Sequence, residues 1–498
     1  MTKKTPLLAV SALALMTSPA LADITADQAW DDIVSWMESG SGEVTFANEA
    51  RDGNVLTISG VSASAEGDGV ASATLIDQIT LTETADGAVL LALSSPIAIE
   101  TVTEVDGESV TNTVDITLSG QDIRLSGDGV VSRYDFALAL LDASIDGIAA
   151  DNDGGEPLDM TIQATGTGIS GSYDITTDTM RRIISDAVTE RLEILVRGAA
   201  PDSSGENFNF TMSADNIVTK GTTDMPLEIA SPDFADMVNA GLTFDASYTF
   251  QNGTYAMSGD GPDGTFQLQS SSEEGAFDMA IDAGGFSLES LSKNATMIMS
   301  GSQIPLPPLP FTIAENGFEL QMPLQASAAP QSFALGFRMI DLVVPEPLYS
   351  MFDPAGLFPR EPASIELEMT GSGILSTSLT DPEIEDLSGP PGELQSVDIP
   401  KLRVALAGAE LTGDGAFTFT TDPNGTPVPA GVANLMLNGG NALLDTLVQM
   451  GLVPEEQAMG ARMMVGLFAV PGEGEDSLKS TIEVREDGQI LANGQRIR

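Results

Sequence analysis

The feature that most constrains this chain is a two-residue rhythm of apolar side chains that recurs over most of its length. Val114, Ile116 and Leu118 show it early, as do Phe208, Phe210 and Met212. It returns in Leu242, Phe244, Ala246, Tyr248 and Phe250, and in Phe277, Met279 and Ile281. Phe318, Leu320, Met322 and Leu324 follow, then Ile365, Leu367 and Met369, then Leu402, Val404 and Leu406, then Phe417 and Phe419. An extended backbone points successive side chains to opposite sides, so each run has one apolar and one polar side. Ribbons of this kind pair into antiparallel sheets with one face covered and one wet. The expected fold class is therefore mainly β, with elongated, curved antiparallel sheets and a few capping helices.

Turn-forming dipeptides separate the runs: Asp106-Gly107, Asn252-Gly253, Asp263-Gly264, Asn316-Gly317, Asn424-Gly425 and Asp487-Gly488. A small glycine motif recurs at Gly67-Asp68-Gly69, Gly127-Asp128-Gly129, Gly166-Thr167-Gly168, Gly259-Asp260-Gly261, Gly371-Ser372-Gly373 and Gly413-Asp414-Gly415. Its spacing is irregular, which excludes a fixed-period solenoid. Glycine pairs inside strand patterns mark bulges or bends, so the motif reads as a repeated way of bending a long sheet.

Helical periodicity predicts elements near 25–38, 178–197 and 441–468. In the first, Thr25 and Gln28 have capping-box spacing, and Trp30, Ile33, Val34 and Met37 form one stripe. In the second, Met180, Ile183, Ile184, Ala187, Val188, Leu192 and Leu195 fall on one side. It carries Arg181, Arg182, Arg191 and Arg197, either a solvated basic face or a contact for an anionic head group or for the protein's own acids. The third pairs Leu443, Leu444, Leu447 and Val448 with Ala458, Met459, Met463, Met464 and Leu467. Residues 1–22 read as a signal peptide, with Lys3 and Lys4, an apolar stretch from Leu7 to Met16, and Ala20-Leu21-Ala22 as the cleavage site. Export to the periplasm, with cleavage after Ala22, is the expected localisation. The proline-rich Ile304–Pro310 suggests a link near 302, dividing a β-rich part at 23–301 from a second at 302–498.

Chemistry is limited by what the composition lacks. The chain has neither cysteine nor histidine. Disulfides, thiol nucleophiles, Ser-His-Asp triads and histidine metal sites are thereby excluded. A formal charge of −53 excludes the positive footprint that nucleic acid needs. No phosphate-binding glycine loop and no nucleophile elbow occurs. Asp151-Asn152-Asp153-Gly154-Gly155 starts like a calcium loop but lacks the full ligand pattern. No catalytic, cofactor-binding or metal residue is assigned, no cofactor is expected, and the chain is not read as an enzyme.

The stretch Leu348-Tyr349-Ser350-Met351-Phe352-Asp353-Pro354-Ala355-Gly356-Leu357-Phe358-Pro359-Arg360-Glu361-Pro362-Ala363 resembles a segment of an uncharacterised bacterial family, the domain of unknown function 2125. The closing helices and the ending Asp487-Gly488-Gln489-Ile490-Leu491-Ala492-Asn493-Gly494 are similar to it too. The resemblance implies an envelope location and brings no activity, cofactor or catalytic residue. A weaker architectural likeness to AsmA-like envelope proteins leaves function open.

A one-sided sheet must have its apolar face covered, by itself, by helices or by a ligand. The expected function is a non-enzymatic exported envelope protein holding a lipid or other hydrophobic molecule in a β groove. The alternative is a structural or interaction protein of the envelope with a self-packed sheet. The expected partners are thus a lipid or hydrophobic ligand and no nucleic acid, with no transmembrane segment after signal cleavage.

Overall fold

The structure is a computed structural model. It describes residues 24–41, 43–67, 70–105, 108–127, 131–148, 158–199, 206–227, 234–262, 264–282, 284–381, 384, 387, 389–421 and 426–498. The signal peptide, Asp106-Gly107, Asp151–Gly155 and Asn424-Gly425 lie outside the described residues.

The first part of the chain comprises α1 (Ala26–Ser41), β1 (Glu43–Thr45), β2 (Asn48–Asp52), β3 (Val55–Gly67) and β4 (Val70–Glu83). After these come β5 (Val89–Leu93), β6 (Ile97–Val105), β7 (Glu108–Ser119) and β8 (Asp122–Gly127). Then the strands lengthen: β9 (Val131–Ile148), β10 (Leu158–Thr177), β11 (Met180–Ala199) and β12 (Asn207–Pro226). A short α2 (Phe234–Asn239) precedes β13 (Thr243–Gly261), β14 (Gly264–Asp282), β15 (Gly285–Gly301), β16 (Leu309–Met322) and β17 (Gln331–Leu342). Beyond α3 (Glu346–Phe352) run β18 (Ala363–Leu375), β19 (Gly392–Leu406), β20 (Ala409–Thr421) and β21 (Pro427–Asn438). The chain closes with α4 (Gly440–Gln449), α5 (Glu455–Phe468), β22 (Val470–Pro471), β23 (Ser477–Val484), β24 (Ile490–Ala492) and β25 (Gln495–Arg496).

Among the described residues, 25 strands belong to one antiparallel sheet, and the antiparallel pairing is what the alternation predicts. From β9 to β21 each strand pairs with the next in sequence, so the chain is an uninterrupted meander. At 20 residues, β10 to β12 are each about 65 Å long at the usual rise per residue. The Ile304–Pro310 segment joins two neighbouring strands, and the β15–β16 pairing runs across it. Among the described residues no helix is long and apolar enough to cross a membrane.

The helix predicted near 178–197 is a strand, β11, and this corrects the sequence reading. Ile183 and Ala187 face one way in step, and Leu192, Ile194 and Val196 continue with the opposite parity. The i, i+3, i+4 spacing arises because Ile184 and Val188 stand on the opposite, exposed face from Ile183 and Ala187, and because the period-two pattern slips by one residue near Glu190. The β-branched residues Ile183, Ile184, Val188, Thr189, Ile194 and Val196 decide for the strand. The other two helical predictions hold as α1 and as α4 with α5. Thr25 and Gln28 form the expected capping box, the Gln28 N–H donating to Thr25 Oγ1 at 3.2 Å and the Thr25 N–H to Gln28 Oε1 at 3.0 Å.

The slip in β11 belongs to a crease that crosses the sheet. Gly60, Gly120, Gly168, Asn216, Asn252, Asn294 and Asp341 all have positive φ, between 48° and 63°. Register places them in line: Ala139 lies across from Gly168 and Glu190 lies between Gly168 and Asn216. Glu273 lies between Asn252 and Asn294, and Ala314 between Asn294 and Asp341. At this line the apolar residues change parity, from Phe244, Ala246, Tyr248 and Phe250 to Tyr255 and Met257, for example. Leu56, Ile58 and Val61 flank Gly60 in the same way, yet all pack into one cluster. The left-handed residue therefore turns the strand by one position and keeps its apolar side on a single face. This explains why Asn252-Gly253, predicted as a turn, lies inside β13; Asn316-Gly317, also predicted as a turn, lies inside β16 without left-handed backbone, paired with Ser292 and Met339. Asparagine tolerates left-handed backbone, and at Asn252 that preference is spent on the crease rather than on a turn. Asp487-Gly488 does form its turn, where the Gly488 N–H donates to Arg485 O at 2.9 Å.

Among the described residues, a helix layer covers the first part of the sheet. Ala26, Ala29, Trp30 and Ile33 of α1 pack on Leu56, Ile58, Ile79 and Leu81, each almost wholly buried. Burial of four such aliphatic chains contributes roughly 1.5–3 kcal/mol each. This is the main hydrophobic core among the described residues.

Candidate functional site

Beyond β8 most apolar side chains keep to one face, and among the described residues no helix layer covers it as α1 covers the first strands. Tyr248, Phe277, Phe318, Phe337, Leu367 and Leu402 lie in one row across β13 to β19, broken by Ser290. Ala246, Met279, Leu288, Leu320, Leu335 and Met369 form the adjacent row. On the other side of the crease run Val196, Phe210, Met257, Leu268, Met299 and Leu309. Within these rows only Leu309 is buried; Phe277 and Phe337 are 41% and 43% exposed. At about 4.8 Å between strands, a row crossing β13 to β19 is about 29 Å long.

The face is low in relief, because rings lie down over glycines of the next strand. A Cβ at Gly275 would stand 2.1 Å from the Phe250 ring, and one at Gly371 would stand 2.4 Å from the Phe333 ring and from Ser396 O. The glycine motif thus provides close approach as well as bending. Two hollows of about 180 and 240 Å³ lie on the sheet, lined chiefly by polar-face residues such as Asp245, Asp278, Glu289 and Glu319, and by Thr254, Gln269 and Ser271. Both are smaller than an ordinary ligand pocket. The candidate site is the extended apolar surface rather than either of these hollows.

The opposite face is charged and crowded with acids. Asp278, Glu289 and Glu319 stand directly across from one another, an arrangement that costs stability. Scarce arginines are shared: Arg338 reaches Glu289 at 3.5 Å and Glu315 at 3.3 Å, and Arg403 reaches Glu366 at 3.2 Å and Glu410 at 2.8 Å. Arg191, predicted on a basic helix face, bridges Glu193 and Asp215 instead, so it serves the protein's own acids. Burial would push the Glu366 carboxyl up, but Lys401 and Arg403 hold it below the usual range. Among the described residues no group of three acids is placed to hold a metal ion.

The segment that carries the family resemblance is a knob between β17 and β18. Asp353 is buried and accepts the N–H groups of Leu357 at 2.8 Å and Phe358 at 2.9 Å. Arg360 donates to Asp353 at 2.7 Å and to Glu346 at 3.0 Å, and its guanidinium stands 4.2 Å from the centre of the Tyr349 ring. Burial raises the Asp353 carboxyl, yet Arg360 and the two N–H groups bring it below its ordinary value. These residues staple a loop; the sequence carried their pattern but not their roles. Asp476 does similar work at α4, accepting the N–H of Ala442 at 2.9 Å and of Asn441 at 3.2 Å.

Fold and site together define an open antiparallel β protein with an uncovered apolar face and an acidic back. The chain belongs to the family DUF2125, described as an uncharacterized protein conserved in bacteria, whose pattern matches residues 241–494, half of the sequence. No curated protein and no solved structure matches this chain.

Proposed function

We propose that this is a non-enzymatic exported envelope protein that holds a lipid or another hydrophobic molecule against the apolar face of its sheet. One observation carries the reading: the rows from β13 to β19 present phenylalanine, leucine and methionine side chains that no second layer among the described residues buries. Contiguous apolar surface on such a scale marks a site of association. It favours a held ligand over a self-packed sheet.

The lack of an enzymatic role is supported by the absence of histidine and cysteine. It is also supported by the carboxylates Glu83, Asp353, Glu366 and Asp476, all held below their ordinary values, the reverse of a general acid. The periplasmic location rests on Lys3, Lys4, the Leu7–Met16 stretch and Ala20-Leu21-Ala22.

The test is native mass spectrometry and solvent extraction of the purified mature protein. Lipid should co-purify in stoichiometric amount, and a fluorescent fatty acid should exchange with it. Protein that is consistently lipid-free and takes up no fatty-acid probe overturns the reading.

A further inference from the structure

We propose that the end of the sheet formed by α3, the β19–β20 turn and the α4–α5 pair docks onto the surface of an electrically neutral lipid bilayer. The proposal builds on the lipid-holding reading and names where the lipid would enter.

Register gathers these segments. Ser364, just after the α3 knob, pairs with Ala405; the turn follows at Ala407-Gly408; and Glu410 pairs with Asn438, from which α4 springs. Pro359 lies against Gly408, and Gly408 against Gly439. This end displays Met351, Phe352, Leu406, Met459, Met463 and Leu467, the last two 69% and 66% exposed. Of α5 only Ala458 is buried.

Two arguments select a bilayer over a protein groove. Met463, Met464 and Val465 are consecutive and all exposed, so the second half of α5 is apolar on several sides rather than along one stripe. A partner groove takes up one stripe of a helix, whereas a fluid bilayer interface takes up a broad apolar tip. Charge supplies the second. From Gly460 to Val470 the single charged residue is Arg462, and Asp445 pairs with it. That stretch is neutral once the pair forms, while Glu455 and Glu456 open the same helix and the chain carries −53, so anionic lipid would repel the protein. The apolar face also reaches this end, through the row Met339, Ile365, Val404, Leu411 and Leu437.

Vesicle flotation of the full mature chain tests the idea. Wild type should float with phosphatidylcholine vesicles, and admixed phosphatidylglycerol should weaken binding at low salt. The double substitution Met463→Glu with Leu467→Glu should reduce vesicle affinity roughly tenfold or more, since charge replaces the inserted apolar tip. Because both side chains are exposed, circular dichroism and the co-purified lipid should be unchanged. Wild type that stays unbound, or a variant that floats as well as wild type, overturns the docking. So does light scattering that shows a dimer dissolved by the same substitutions, since a second copy would then cover the surface. Intact flotation of a protein that carries no lipid supports the docking and removes the lipid-holding reading instead.

Discussion

The sheet under α1 and the sheet from β13 to β19 share one pattern and differ in burial. Leu56, Ile58, Ile79 and Leu81 alternate just as Phe318, Leu320 and Met322 do. The first set is sealed by a helix, and the second is left half-exposed. Alternation therefore creates the demand for cover, and only a neighbouring layer meets it. Where α1 supplies that layer, the face becomes core. Where none is supplied, the same chemistry becomes a surface that invites an occupant.

Truncation should separate the two regions most sharply. Leu81→Ala is expected to lower unfolding free energy in urea by about 3 kcal/mol, because it empties a sealed site. Leu320→Ala should cost only about 1 kcal/mol, since its side chain is already partly in water. Equal losses would erase the distinction. Between these lies Gly371→Val, expected to cost about 2 kcal/mol by forcing the Phe333 ring and the Ser396 carbonyl aside, as read from thermal unfolding. On the uncovered face, Phe277→Asp and Phe337→Asp should each cost about 1–2 kcal/mol, less than Leu81→Ala, while reducing fatty-acid uptake severalfold.

Smaller effects probe the charged back. Raising salt from dilute buffer to about 0.5 M should increase stability, because screening weakens repulsion among crowded acids such as Asp278, Glu289 and Glu319. Acid should do the reverse. Glu83, Asp353, Glu366 and Asp476 have lowered folded values, so their contribution is full above the unfolded carboxylate range near pH 4. It disappears as pH falls through the lower folded values. Asp353→Asn should flatten part of that acid limb in a pH series of urea midpoints. Burial first, and the charge of Asp32 second, push the Tyr134 hydroxyl up to about 12. Its ionisation, followed by ultraviolet absorbance, should therefore lag behind that of an unfolded tyrosine, so any associated stability is retained at pH 10 and lost above it.

Much of the fold was legible because strand alternation is local. The runs around Phe318 and Ile365 became strands on the faces their pattern assigned, and the Thr25–Gln28 box capped its helix. The failures have a non-local cause. Glu190 lies in a crease formed by Gly168 and Asn216 of other strands, so nothing near Ile183 or Leu192 warned that the phase would slip. Asn252-Gly253 signalled left-handed backbone correctly, but its use in mid-strand depends on the neighbours that continue the line. The Asp353–Arg360 staple was visible as a family pattern, while its burial and its bonds to Leu357 and Phe358 were not.

By itself, the order of residues determined that this chain forms long one-sided ribbons, with an acidic side and no histidine or cysteine chemistry. Those are properties of neighbouring side chains and of composition. Tertiary structure alone decided which stretch of the apolar face is sealed, where the crease runs, and that α3, α4 and α5 meet at one end. Each of these depends on residues far apart in sequence being brought into register, and no local periodicity encodes that.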